Sequence, residues 1–165
     1  MERLDAFLLP LYQDLDGVSR LDEAERVARI ARRLAPPLRE LELLLRFHVL
    51  GSWLEKVGNL SRVVLAVPDV NEADLRRVAA SIRRLDAPVT EAERAVAAAV
   101  LIDGAGVRGL AERFGRARRE GSSLLDVARE EVAPAPEWMS EEARAMLEER
   151  RRRRAAFCEA LLEEM

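Results

Sequence analysis

Apolar residues recur in this chain at steps of three and four almost from end to end, and almost nowhere at steps of two. Such a chain buries its hydrophobic surface as packed helices and not as a sheet. Leu21, Ala24, Val27, Ile30, Ala31 and Leu34 form one stripe, with Ser19 and Asp22 as N-cap and acidic first turn, and Pro36-Pro37 ends it. From Leu38 to Leu50 the positions Leu41, Leu43, Leu44, Leu45, Phe47 and Val49 cover most of the circumference, which predicts the central, most buried helix. Gly51 interrupts the pattern, and Ser52 with Glu55 has the spacing of a capping box for a helix through Trp53 to Val67. Val63 to Val67 is the one strand-like stretch.

Asn71 with Asp74, and Thr90 with Glu93, open two further helices. Gly104, Gly106 and Gly109 crowd a turn before a helix carrying Leu110 and Phe114, which Gly121-Ser122-Ser123 closes. A short helix over Leu124 to Val132 follows, and after Pro134 and Pro136, Ser140 with Glu141 and Glu142 starts a last helix. The pattern therefore predicts an all-α, single-domain bundle of about seven to eight helices over residues 19–165. Residues 1–18 form an N-terminal segment in which Leu4, Phe7, Leu8, Leu9, Leu11 and Leu15, broken by Pro10, carry too much apolar surface for a free arm. That segment is expected to pack on the body or on a partner. No fixed period repeats, so a solenoid has no support.

At 165 residues, 49% hydrophobic and 35% charged, the chain can bury a core without disulfides or metals. Its formal charge of −3 gives no general attraction to nucleic acid, which is an unfavoured partner, or to an anionic membrane. The longest unbroken apolar run, Ala95 to Ile102, is far shorter than the roughly 20 residues a membrane helix needs. No basic, apolar and small-residue succession marks a secretory signal, and the lone Cys158 cannot close an internal disulfide, so the expected location is the cytoplasm. Twenty-six arginines against one lysine, with only Gln13, Asn59 and Asn71 as amides, suit a GC-rich, thermophilic genome.

The chemistry-bearing residues are few. His48 is the only histidine, which excludes a site with two histidine ligands in one chain. Cys158, among Phe157, Leu161 and Leu162, reads as a small buried thiol. The glycine cluster follows a helix and not a strand and lacks a Gly-Lys-Ser/Thr ending, so it is neither a dinucleotide fingerprint nor a P-loop. Arg150 to Arg154 is a five-arginine run, but from Glu137 to Met165 six arginines face eight glutamates. With Glu148 to Arg152 and Glu149 to Arg153 as i,i+4 pairs, it reads as a solvated helix face. Residues 105–121 carry five arginines against two glutamates, and Arg108, Arg113 and Arg116 are the candidate phosphate-binding patch there. Trp53 and Trp138, each near a helix start, are candidate interface anchors.

Leu45-Arg46-Phe47-His48-Val49-Leu50-Gly51 resembles the Leu-Leu-His-Asp-Ile-Gly signature of the HD-domain phosphohydrolase superfamily, with Val49 in place of the aspartate. Glu25 to Ala31 is similar to the helix that opens on the family's first histidine, and Glu23 stands about where that histidine would be. Ala99-Val100-Leu101-Ile102-Asp103 looks like the helix end carrying the last aspartate ligand, and the likeness extends through the glycine cluster to the closing helix. The resemblance implies an HD-like bundle descended from enzymes whose His, His-Asp and Asp ligands hold a hydrolytic divalent metal. Of those ligands only His48 and Asp103 match, so the expectation is a pseudoenzyme without a cofactor that acts as a binding or scaffolding module, as a homodimer or with a protein partner. His48 and Asp103 would then be a structural pair. The alternative is a divergent phosphohydrolase that binds a divalent metal weakly through Glu23, His48 and Asp103; a nucleic-acid-binding helical protein comes third.

Overall fold

The computed structural model describes residues 1–13, 20–130 and 134–164, and no strand occurs among them. Leu15, Ser19 and Val132, and with them the expected cap of the second helix, lie outside the described residues, whereas the short helix expected to run to Val132 already ends at Arg129, because Glu130 turns into extended backbone. The elements are α1 (Glu2–Gln13), α2 (Arg20–Leu34), α3 (Arg39–Phe47), a 3-10 turn (His48–Leu50), α4 (Gly51–Leu54), α5 (Asn59–Ala66), α6 (Glu72–Arg83) and α7 (Glu91–Gly104). They continue with α8 (Val107–Glu120), α9 (Leu124–Arg129) and α10 (Glu141–Glu163). The chain divides into two compact units, Met1–Ala97 and Ala98–Met165, the division falling inside α7. Among the described residues no helix is long and apolar enough to cross a membrane.

In the first unit α3 is the hub, because Leu41, Leu43, Leu44, Leu45 and Phe47 leave it almost no polar face. All five are buried, and α3 packs against α2 and α6. The N-terminal segment is helical straight through Pro10 instead of breaking there. Proline withholds the N–H owed to Ala6, but Leu4, Leu8 and Tyr12, spaced by four on both sides of it, are all buried, and α1 packs on α2 and α5.

The helix expected from Ser52 to Val67 is two helices. α4 ends at Leu54, and Gly58, at φ +86°, takes the left-handed conformation as the N-cap residue from which the chain restarts at Asn59. Asn59 secures the corner by donating from Nδ2 to the Trp53 carbonyl at 2.7 Å. Ser52 caps nothing, and Glu55 pairs with Arg83 of α6 at 2.6 Å. Gly51 is helical, not a break: a Cβ there would stand 2.8 Å from Ile82 Cγ2, so its bare backbone is what lets α4 lie on α6. Val63 to Ala66 is helical despite its β-branched residues, because Val63 and Val67 fall on one buried face.

The other capping predictions hold at the atomic level. Asp74 N–H donates to Asn71 Oδ1 at 2.8 Å, and Ala143 N–H to Ser140 Oγ at 3.2 Å. Thr90 and Glu93 form a reciprocal box, Glu93 N–H to Thr90 Oγ1 at 3.2 Å and Thr90 N–H to Glu93 Oε2 at 3.1 Å. The Glu93 side chain is wholly buried and also takes the Val89 N–H and the Arg84 guanidinium. Burial pushes its pKa up, but Arg84 and the backbone and Ser81 donors outweigh it and hold the carboxyl at about 2.

In the second unit α8, α9 and α10 pack on one another. Leu110, Ala128 and Cys158 form its buried cluster, with Phe114, Val127 and Leu162 partly covering it. The glycine turn has a structural reason: Gly106 precedes α8 in extended backbone, and a Cβ on Gly109 would collide with the Gly104 backbone. Gly121, at φ +70°, ends α8, and its N–H and that of Ser122 both close on the Ala117 carbonyl.

Candidate functional site

His48 sits where α3 tightens into the 3-10 turn. Its Nδ1 lies 2.7 Å from the Leu45 carbonyl oxygen, which can only accept, so Nδ1 carries the proton. Nε2 is then a bare lone pair, buried and without a hydrogen-bond partner among the described residues. Desolvation lowers the ring's pKa to about 4, the Leu45 hydrogen bond opposing it, so the imidazole is neutral at pH 7. Glu23 is in the first turn of α2, near Arg20 at 3.8 Å. Asp103 is buried at the end of α7 and belongs to the second unit, as His48 belongs to the first. Among the described residues no three His, Cys, Asp or Glu side chains come together so as to hold a metal ion.

Beside α3 the first unit has a cleft of about 570 Å³ whose walls come from α1, α2 and α3, among them Asp5, Leu9, Tyr12, Leu21, Arg29 and Arg46. Tyr12 donates its hydroxyl to the Arg46 carbonyl at 2.6 Å, and burial raises the phenol to about 12, so it stays protonated. Arg46 in turn holds Asp5 of α1 through Nε at 2.6 Å and Glu42 through Nη1 at 2.8 Å. Glu42 also receives a two-pronged contact from Arg32 of α2, both prongs at 2.8 Å. With the Arg32 hydrogen bonds as the largest cause, and Arg46 adding to them, the Glu42 carboxyl falls to about 2. Sequence reasoning missed this network. Only the i,i+4 spacing of Glu42 and Arg46 signals it; the ties to Asp5, Tyr12 and Arg32 join distant parts of the chain.

The remaining predicted residues scatter. Trp53 is half-buried, edge-on to Phe7 at 6.3 Å and under the Arg62 guanidinium at 5.9 Å, and Trp138 is half-buried. Arg108 and Arg116 are exposed on α8, whereas Arg113 is half-buried and ion-paired with Glu130. Cys158 is buried in the α8–α9–α10 cluster. The five-arginine run is not uniformly a solvated face. Arg152 and Arg153 are exposed and share Glu149, Glu148 takes Arg151 and not Arg152, and Arg154 is 4% exposed. Successive residues turn about 100° around a helix, so a run of five must send at least one side chain inward.

No family model, curated protein or solved structure matches the chain.

Proposed function

We propose that this chain is an HD-like helical protein that has given up metal-dependent hydrolysis and serves as a binding or scaffolding module of the cytoplasm, acting as a homodimer. The observation that carries this reading is the donor set at His48. Its ring is neutral, fixed by Leu45, and among the described residues it belongs to no group of three or more His, Cys, Asp or Glu side chains placed to hold a metal ion. One imidazole does not fit a tight hydrolytic centre, which takes three or more protein donors. The assembly part of the reading leans on Val57, fully exposed, and Leu65, 86% exposed, apolar side chains that a partner surface would cover.

One feature favours the second reading, a divergent phosphohydrolase. A histidine whose Nδ1–H is held by a carbonyl and whose Nε2 lone pair is bare has the orientation of a metal ligand. Elemental analysis separates the two. Protein saturated with Mn, Fe, Ni or Zn and then dialysed should retain no stoichiometric metal, and His48→Ala should match it. Near-stoichiometric metal lost in His48→Ala would replace the module with the hydrolase. Sedimentation at micromolar concentration tests the dimer, and Leu65→Glu should shift the protein to monomer.

A further inference from the structure

The second unit contains positive charge that its packing does not need. Arg154 is 4% exposed, and a buried guanidinium is costly unless its five N–H donors are used. Among the described residues it has one hydrogen bond, from Nη2 to the Glu130 carbonyl oxygen at 3.3 Å, and no carboxylate partner. A cleft of about 370 Å³ opens beside it between α9 and α10, lined by Arg129, Glu130, Arg151, Arg154 and Cys158. Of the three guanidinium groups that line it, Arg151 is paired with Glu148, and Glu130, the one carboxylate among the described lining residues, is already engaged by Arg113 from α8. Arg113 feels the surplus, since desolvation and then the nearby Arg154 and Arg116 charges lower its proton affinity. The volume lies in the range of small-molecule sites.

We propose that the α9–α10 cleft binds a phosphate group, either free or as a small phosphomonoester, with Arg154 as its buried anchor and Arg129 as a second, exposed contact. A planar guanidinium with spare donors in a partly dehydrated cleft matches the oxygens of a phosphate dianion. Cys158 and Ala128 give the same cleft an apolar part for a small substituent. Glu130 is the one opposing charge among the described lining residues. This site lies in the second unit and stands apart from the HD-like reading, which concerns His48.

The test is calorimetric titration of the whole chain, in low-salt buffer, with inorganic phosphate and with glycerol 2-phosphate. Arg154→Gln should weaken binding at least about tenfold, the scale of losing a charge-assisted contact, and Arg129→Gln a few-fold. Glu130→Gln removes the repulsion, frees Arg113 and should tighten binding a few-fold. Circular dichroism checks that each variant is folded. Glu130 and Arg129 are exposed, so their opposite signs decide the matter even if Arg154→Gln unfolds. Tighter binding of the ester assigns the site to phosphomonoesters, and tighter binding of inorganic phosphate assigns it to the free anion. No heat with either at millimolar concentration, or a Glu130→Gln variant that binds more weakly, overturns the proposal.

Discussion

The two units are built from the same element and use it in opposite ways. The first concentrates large apolar side chains: Leu4, Leu8, Leu41, Leu44, Phe47, Leu50 and Leu75 are all fully buried. Its most deeply buried charge, Glu93, is enclosed by donors. In the second, the cluster joining α8, α9 and α10 has Leu110 as its only large fully buried member among the described residues, beside Ala128 and Cys158, and one of the unit's buried charges, Arg154, has donors to spare. One unit is made to hold a shape, and the other retains chemistry that is not spent on shape.

The sharpest way to break this comparison is to hollow each core. Phe47→Ala should destabilise the chain by about 3–5 kcal/mol in urea denaturation followed by far-UV circular dichroism. Leu110→Ala should cost about 2 kcal/mol, the low end for leucine, because Phe114, Val127 and Leu162 are only partly buried and can close the gap. Equal losses would mean the units are equally well packed.

Acid should find the first unit in two stages. His48 is held near pKa 4, below its ordinary 6.5, so the folded state binds fewer protons there and stability falls as pH drops from about 6.5 to 4. Glu93, held near 2 against 4.5, contributes stability that is complete above pH 4.5 and lost between about 4.5 and 2. Each stage spans about 2.5 pKa units and is worth on the order of 3 kcal/mol at most. Stability measured against pH in His48→Leu should lose the upper stage and keep the lower one. A variant that still declines between pH 6.5 and 4 would place that titration elsewhere.

The smallest effects should be alike in both units. Asn71→Ala and Ser140→Ala each remove one cap and should cost about 1 kcal/mol, because a helix end obeys the same rule whatever core lies beneath it. A loss at Ser140 well above that at Asn71 would show that α10 depends on its first turn more than on its packing.

What could be read from the sequence follows the range of the interactions. The all-helical class, the hub role of α3 and the caps at Asn71, Thr90 and Ser140 rest on residues within about four positions of each other, and all were legible. The break at Gly58 was not, because Ser52 and Glu55 spell a capping box that the left-handed glycine and the Glu55–Arg83 pair pre-empt. Nor was the Arg32–Glu42–Arg46–Asp5 network, whose longest tie spans 41 positions. Arg154 could not be picked out of a run of five arginines without knowing how α10 is turned.

The contact between Gly51 and Ile82 makes two positions on different helices share a single methyl group's worth of space. Isoleucine is stiff at its branch and cannot swing that methyl away. Gly51→Ala alone should therefore be harmful, and Ile82→Ala should rescue it, so that each substitution is a suppressor of the other's defect. In a library that varies both positions together, the survivors would carry the methyl on α4 or on α6, and seldom on both.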